Sequence, residues 1–555
     1  MPRRLRTLGV IAIVALGLTA TPAAGDHTDP RDPLSPTSPG LPGNGIVQGA
    51  GRWEHIRNFP PNPGSDLEFF RKGGDIYAST GTLGQGEAGH VGQRIIRLTH
   101  NGAVNPTWVA DHGSAACRTA NPTGTLGLQH DVQITPKHNP QLVIDATDAT
   151  GRCHDPAGGG LEFVDISGIG PKSRFQPREI HLTRHAGLSH TVTVDTVRPW
   201  IVYNSTSDSS GANRPWIDVL DIRTCLGRTG DTIAQKRARC RPLVYRIPFE
   251  PEWSQRVRPN GELEPGSESS CHDITSVGSR IYCAGLNATL IFDVSKLTTR
   301  SGAIRGTPLP CTRIAGTRTS ASVTDCSAAG PGSPSATGWR YLGSVNHPGR
   351  PANQANNNLE TTADEGVSVS HEADPSPNGN WLFVTDERGG GVVPPGSSCT
   401  PGADNPYGNG GIHVYDIREP GEMRYAETED GEKAIWRSDK LIPAPTFCTV
   451  HVIEHIPDEQ RIVAAYYSQG IKILDYHVTK DGKFRFEEVS SFTLANANTW
   501  AAEWFDIADH GDGTRTYTFL ATDINRGIDV YRWTGPKNPL RDPTTVTVTA
   551  GRPRR

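Results

Sequence analysis

Gly160-Leu-Glu-Phe-Val-Asp-Ile166, Trp216-Ile-Asp-Val-Leu-Asp-Ile222, Gly411-Ile-His-Val-Tyr-Asp-Ile417 and Gly470-Ile-Lys-Ile-Leu-Asp-Tyr476 are one phrase written four times. Three open on Gly and one on Trp; each runs through an apolar strand and stops at an acid followed by a large apolar residue. Thr289-Leu-Ile-Phe-Asp-Val294 and Gly527-Ile-Asp-Val-Tyr-Arg-Trp533 are looser copies, and Arg94-Ile-Ile-Arg-Leu98 is a first, weaker one. The phrase therefore occurs seven times. Runs this short, bounded by Gly and Asp, are strands rather than helices.

A second strand precedes every copy. These are Asp75-Ile-Tyr-Ala-Ser79, Leu142-Val-Ile-Asp-Ala146, Trp200-Ile-Val-Tyr203, Arg280-Ile-Tyr-Cys283, Trp381-Leu-Phe-Val-Thr385, Ile462-Val-Ala-Ala-Tyr466 and Tyr517-Thr-Phe-Leu-Ala521. A third strand and a polar turn lie before each. Repeated units of three or four strands build a β-propeller. The expected fold is all-β, a seven-bladed β-propeller with long loop insertions, the longest being 300–369. Trp53 to Phe59 resembles the strand before each later unit and is expected to form the outer strand of the last blade. That closes the ring and removes sheet edges.

Composition agrees. The 555 residues include 61 Gly and 44 Pro but only 2 Met, which suits many strands and turns and argues against a helix bundle. With 55 Lys+Arg against 59 Asp+Glu, no globally basic surface exists for nucleic acid. Residues 1–25 read as a signal peptide: Arg3, Arg4 and Arg6, an apolar run from Leu8 to Leu18, then Ala23-Ala24-Gly25. Residues 26–45 are a flexible leader, 46–535 the propeller, and 536–555 a C-terminal tail. No other stretch is apolar enough to span a membrane. The expectation is a secreted, extracellular monomer. Ten cysteines suit an oxidising compartment. Sequential pairing gives Cys117–Cys153, Cys225–Cys240, Cys271–Cys283, Cys311–Cys326 and Cys399–Cys448. Cys271 and Cys283 flank a Val277-Gly278 turn, as facing positions of one hairpin.

Aligning the units on their first strand puts a histidine at one position in five of the seven: His130, His190, His272, His371 and His451. The first strand of a propeller blade is innermost, so these side chains are expected to ring one mouth of the central channel. The first blade offers Asp66 there and the last offers Trp500 to Glu503. Neutral imidazole is the commonest transition-metal ligand. Several imidazoles with few thiolates suit copper, zinc, iron or nickel rather than calcium. Asp66, Asp131, Asp273, Glu372 and Glu503 are supporting groups. The same ring could hold an organic or anionic ligand, or simply line a polar channel.

The phrase ending Phe163-Val-Asp-Ile166 resembles the LVIVD-repeat propellers over most of residues 53–534. His130-Asp-Val-Gln-Ile-Thr-Pro-Lys-His138 and His371-Glu-Ala-Asp-Pro-Ser-Pro377 are similar in style to the selenium-binding proteins, which include bacterial methanethiol oxidases. That second resemblance implies copper and oxidation of a small molecule such as a thiol. The leading reading is a metal-dependent oxidase acting on a small-molecule substrate at the channel mouth, with copper first and zinc or iron as alternatives. Two other readings stay open: an extracellular binding or cell-surface interaction module, and a metal-dependent hydrolase.

Overall fold

The computed structural model describes residues 45–540, less the segments 60–62, 84–91, 115–129, 138, 148–159, 171–174, 185–188, 206–214, 229, 259, 298–311, 315–322, 326–335, 349–365, 391–398, 400–408 and 444–446. The signal peptide, most of the leader, the end of the tail and the Cys117–Cys153 and Cys311–Cys326 pairs lie outside the described residues.

Seven sheets follow one another along the chain, each built on four antiparallel strands. Blade 1 runs through Gly64–Lys72, Asp75–Thr82, Gly92–His100 and Ala103–Gly113. Blade 2 uses His130–Thr135, Leu142–Thr147, Gly160–Asp165 and Arg178–Arg184. Blade 3 uses Val192–Val194, Ile201–Asn204, Trp216–Asp221 and Leu243–Pro248. Blade 4 uses Asp273–Val277, Arg280–Ala284, Ala288–Asp293 and Arg340–Asn346. Blade 5 uses Ser370–Pro375, Trp381–Asp386, Ile412–Asp416 and Arg424–Tyr425. Blade 6 uses Ile453–His455, Arg461–Ala465, Ile471–Val478 and Lys483–Leu494. Blade 7 takes Thr499–Asp509, Thr514–Asp523 and Gly527–Pro536 from the C-terminal end and Arg52–Phe59 from the N-terminal end. The chain is a seven-bladed β-propeller, closed by the strand that contains Trp53 to Phe59.

Packing explains why the strands are so apolar. Each blade is covered on both faces by its neighbours, so alternate residues serve different interfaces. In blade 2, Leu142, Ile144 and Ala146 pack toward blade 3, while Val143 packs toward blade 1. Seven apolar clusters fill the seven blade interfaces. The one joining blades 7 and 1 includes Phe59 of the closing strand and Phe505 of the last inner strand. The innermost strands touch in turn around the ring, and blade 7's inner strand meets blade 1's.

Three features depart from the sequence reading or add to it. Gly45–Gly49, at the boundary assigned to a flexible leader, is a fifth strand, antiparallel to Lys483–Leu494 of blade 6. Part of the long insertion after blade 4's third strand forms Thr312–Ile314 and Val323–Asp325, and the latter pairs in parallel with Arg178–Arg184 on the outer edge of blade 2. In blade 4, Val277 pairs with Arg280, so the hairpin turns at Gly278-Ser279 rather than Val277-Gly278. Cys271 and Cys283 do not face one another in the ladder, and their disulfide runs diagonally across it. Cys225–Cys240 and Cys399–Cys448 are also bonded. Three disulfides place folding in an oxidising environment. Among the described residues no helix is long and apolar enough to cross a membrane.

Candidate metal centre

Each inner strand begins at one mouth of the channel, so the residue at its start faces its counterparts from other blades. The histidines of blades 3 to 6 form a continuous arc there. His190 and His272 lie with Nε2 atoms 3.3 Å apart and ring centroids 4.2 Å apart. The His272 and His371 centroids are 4.7 Å apart, and those of His371 and His451 are 4.1 Å apart. The arc continues into blade 7 with Trp500, 4.0 Å from the His451 ring, and into blade 1, where Trp500 Nε1 donates to Asp66 Oδ1 at 3.2 Å.

His130 departs from this arc. It opens blade 2's inner strand opposite Thr147, but its Nδ1 is 2.8 Å from Asp145 Oδ1 in the next strand. Gln93 of blade 1 donates to the other oxygen of Asp145 at 2.9 Å. The imidazole is thus held by a carboxylate that ties blades 1 and 2 together, and among the described residues it makes no ring contact with the other four histidines. Glu503 lies deeper, opposite Leu520, and Trp500 occupies the mouth position in a bulge between Thr499 and Ala501. Glu372 accepts from Ile453 N of blade 6 at 2.7 Å, and Asp131 accepts from Val192 N of blade 3. These two carboxylates cap the inner strand of the next blade.

Glu387 is the ligand candidate that inspection of the first strands missed. It follows blade 5's second strand, and its Oε2 is 3.9 Å from His371 Nε2. One ligand atom each from His272, His371 and Glu387 lie within 4.8 Å of one another. Aligning the ends of the second strands, rather than the starts of the first, would have drawn attention to this position.

The donors are suited to a metal. Bonds of about 2.0–2.1 Å to imidazole nitrogen put two ligands of a tetrahedral ion about 3.3–3.4 Å apart. The 3.3 Å between His190 and His272 Nε2 matches that edge. His451 is set in one tautomer. Its Nδ1 lies 2.8 Å from Trp500 O, which can only accept, so Nδ1 carries the proton. Nε2 is left as a bare lone pair, buried and without a hydrogen-bond partner. A backbone carbonyl on the far ring nitrogen is the arrangement that orients metal-bound histidines. Burial lowers the His371 pKa against the opposing Glu387 and Asp273 carboxylates. It drives His451 well below the ordinary imidazole range, with His371 adding to the shift. Both rings are therefore neutral near pH 7.

Carboxylates crowd the starts of the inner strands beside the imidazoles, Asp131 buried and Asp273 and Glu372 half-buried. Burial, with Asp66, raises Asp131 well above the usual carboxylate range. Burial, with Asp273 and Asp374, does the same to Glu372. Burial raises Asp273 too, opposed chiefly by His371. Such crowding of like groups is relieved by positive charge in the channel. Two disulfides hold the surrounding backbone. Cys271 immediately precedes His272, and Cys399–Cys448 ties the loop after Glu387 to the approach to His451.

Fold and site together define a seven-bladed β-propeller whose channel mouth is rich in imidazole. No family model matches the sequence, and no curated protein matches it. Among solved structures the chain is similar to the β-propeller domain of Cps50 (Swd1) from Myceliophteria thermophila, at 10% identity, covering 87% of this chain and 99% of that one, with a TM-score of 0.37. It is also similar to Sqt1 from Saccharomyces cerevisiae, at 9% identity over 87% and 98% of the two chains, with a TM-score of 0.39. The blade count stands on the sheet topology above.

Proposed function

We propose that this chain is an exported propeller that binds one copper ion at the channel mouth and oxidises a small molecule there. His272, His371 and Glu387 hold the ion, and His190 and His451 complete the imidazole set. The observation that carries the reading is the convergence of ligand atoms from His272, His371 and Glu387 within 4.8 Å, with the His451 ring, whose buried Nε2 has no hydrogen-bond partner, centred 4.1 Å from that of His371. Copper(II) binds nitrogen and oxygen sites most tightly among the first-row divalent ions. When bound, it would supply one-electron redox chemistry. The protein's own groups would orient the ligands, keep His371 and His451 unprotonated, and place carboxylates beside them.

The test is metal content. The untagged protein, purified without chelators, is expected to carry about one copper per chain by elemental mass spectrometry. The double variant H272A/H371A is expected to lose that copper while keeping its circular dichroism. Copper retained by the double variant would refute the ligand assignment. Zinc in place of copper would keep the site and refute the oxidase chemistry, and iron would keep the site and refute copper as its metal. No metal, even after reconstitution, would refute the proposal as a whole.

A further inference from the structure

Tyr467 stands at the point where blades 5, 6 and 7 meet. It follows the second strand of blade 6, as Glu387 follows that of blade 5. Its φ is +44°, a left-handed conformation that a bulky side chain adopts only when its surroundings hold it there. Those surroundings are explicit. The backbone N–H and C=O of Tyr467 both pair with Thr499 of blade 7, at 3.1 and 2.9 Å. The side chain is buried. Its ring stacks on Phe447 at 5.5 Å and meets His451 edge-on at 5.1 Å. Its Oη donates to Glu387 Oε1 at 2.5 Å.

Tyr467 therefore touches two proposed ligands from two blades and is fastened by a third. A carboxylate with one oxygen held by a phenol presents the other in a set direction. Here that other oxygen, Oε2, is the one facing His371 Nε2. We infer that Tyr467 is a positioning residue for the metal centre: its hydroxyl fixes Glu387 as a ligand through Oε2, and its ring limits the tilt of His451. This rests on the metal reading above. Retaining a tyrosine in a strained backbone is understandable if the hydroxyl must reach across the gap between blades, because the φ of position 467 aims the side chain there.

The experiment is a double-mutant cycle on copper binding. Wild type, Y467F, E387Q and Y467F/E387Q are stripped with a chelator, titrated with copper(II), and their EPR spectra are recorded. Phenylalanine keeps the ring against Phe447 and His451, so circular dichroism and the melting temperature should stay close to wild type. Loss of a group that orients a ligand typically weakens metal affinity about 10- to 100-fold. Y467F is expected to lose that much and to shift the copper hyperfine splitting toward that of E387Q. The double variant should match E387Q alone, because Tyr467 acts through Glu387. A Y467F protein with wild-type affinity and spectrum would overturn the inference, and so would additive losses in the double variant. An E387Q spectrum identical to wild type would also overturn it, by removing Glu387 from the ligand set. Failure of wild type to bind copper would instead strike the metal reading itself, so the two failures are distinguishable.

Discussion

Acidification from pH 7 to pH 5 should cost the folded chain about 2 kcal/mol through His455 alone. This imidazole, on the inner strand of blade 6, packs against Phe383 at 4.8 Å and Tyr476 at 6.0 Å. The nearest carboxylate, Asp374, stays 3.9 Å away, beyond hydrogen-bond reach. Burial pushes its pKa down to about 3, with only a partial offset from the backbone of Asp374. The unfolded chain has an ordinary imidazole, near 6.5. Between those two values the unfolded state holds a proton that the folded state refuses. Stability from this group is therefore whole above about pH 7 and falls by about 1.4 kcal/mol per pH unit below 6. Asp523 works in the opposite direction. Burial and the Asp529 charge raise its pKa to about 7, so it favours the fold as pH falls from 7 toward 4. The comparison must thus be between variants and not between pH values of one protein. His455→Phe keeps a flat ring among aromatic neighbours and removes the proton. Denaturant melts of wild type and variant at pH 7, 6 and 5 should show the variant gaining about 2 kcal/mol on wild type across that range. Parallel profiles would refute the reasoning, because they would mean that His455 takes up its proton in the folded chain.

The other expectations concern closure, internal charge and the site. Trp53 on the closing strand is buried and stacks on Phe492 at 5.4 Å, so Trp53→Ala should lose about 3–5 kcal/mol in denaturant melts; an unmoved midpoint would show that the ring closes without it. Arg461 is buried, pairs with Asp475 through two nitrogens at 2.7 and 2.8 Å and reaches Tyr517 Oη at 2.7 Å, so Arg461→Met should cost about 3–5 kcal/mol by stranding those partners. Calorimetry should detect copper as a stabiliser worth about 2.7 kcal/mol at a free concentration one hundred times its Kd; a melting temperature blind to copper would count against a site in the folded channel. C271S/C283S should weaken copper binding with little change in the sheet, since Cys271 adjoins His272; unchanged affinity would show that the ladder alone holds that histidine.

Much of the fold was legible because blade strands are buried on both faces and so repeat a dense apolar phrase. Leu142, Val143 and Ile144 could be read as a strand without knowing which neighbour each one meets. The closing strand was legible for the same reason, since Trp53 to Phe59 resembles the strand that precedes each later unit. Gly45–Gly49 was not, because an edge strand with Ile46 and Val47 largely exposed carries no such pattern. Nor could the strands inserted after blade 4 be assigned to blade 2, which they reach only in space.

The site divides along the same line. The sequence by itself determined seven blades, the order of strands within them, and a histidine at the head of five inner strands. These follow from periodicity and from the rule that the first strand is innermost. Only the tertiary structure decided which imidazoles meet. His130 holds the same place in its unit as His272, yet Asp145 and Gln93 turn it toward the contact between blades 1 and 2. Glu387 and Tyr467 stand after second strands and meet the histidine of their own blade across one hairpin, but Glu387 reaches His272, and Tyr467 reaches Glu387, only when adjacent blades pack. A repeat specifies where each inner strand starts; the direction of a side chain at that point is set by hydrogen bonds from the strands around it, in its own blade for His130 and in the next blade for His451, and those exist only once the strands have packed.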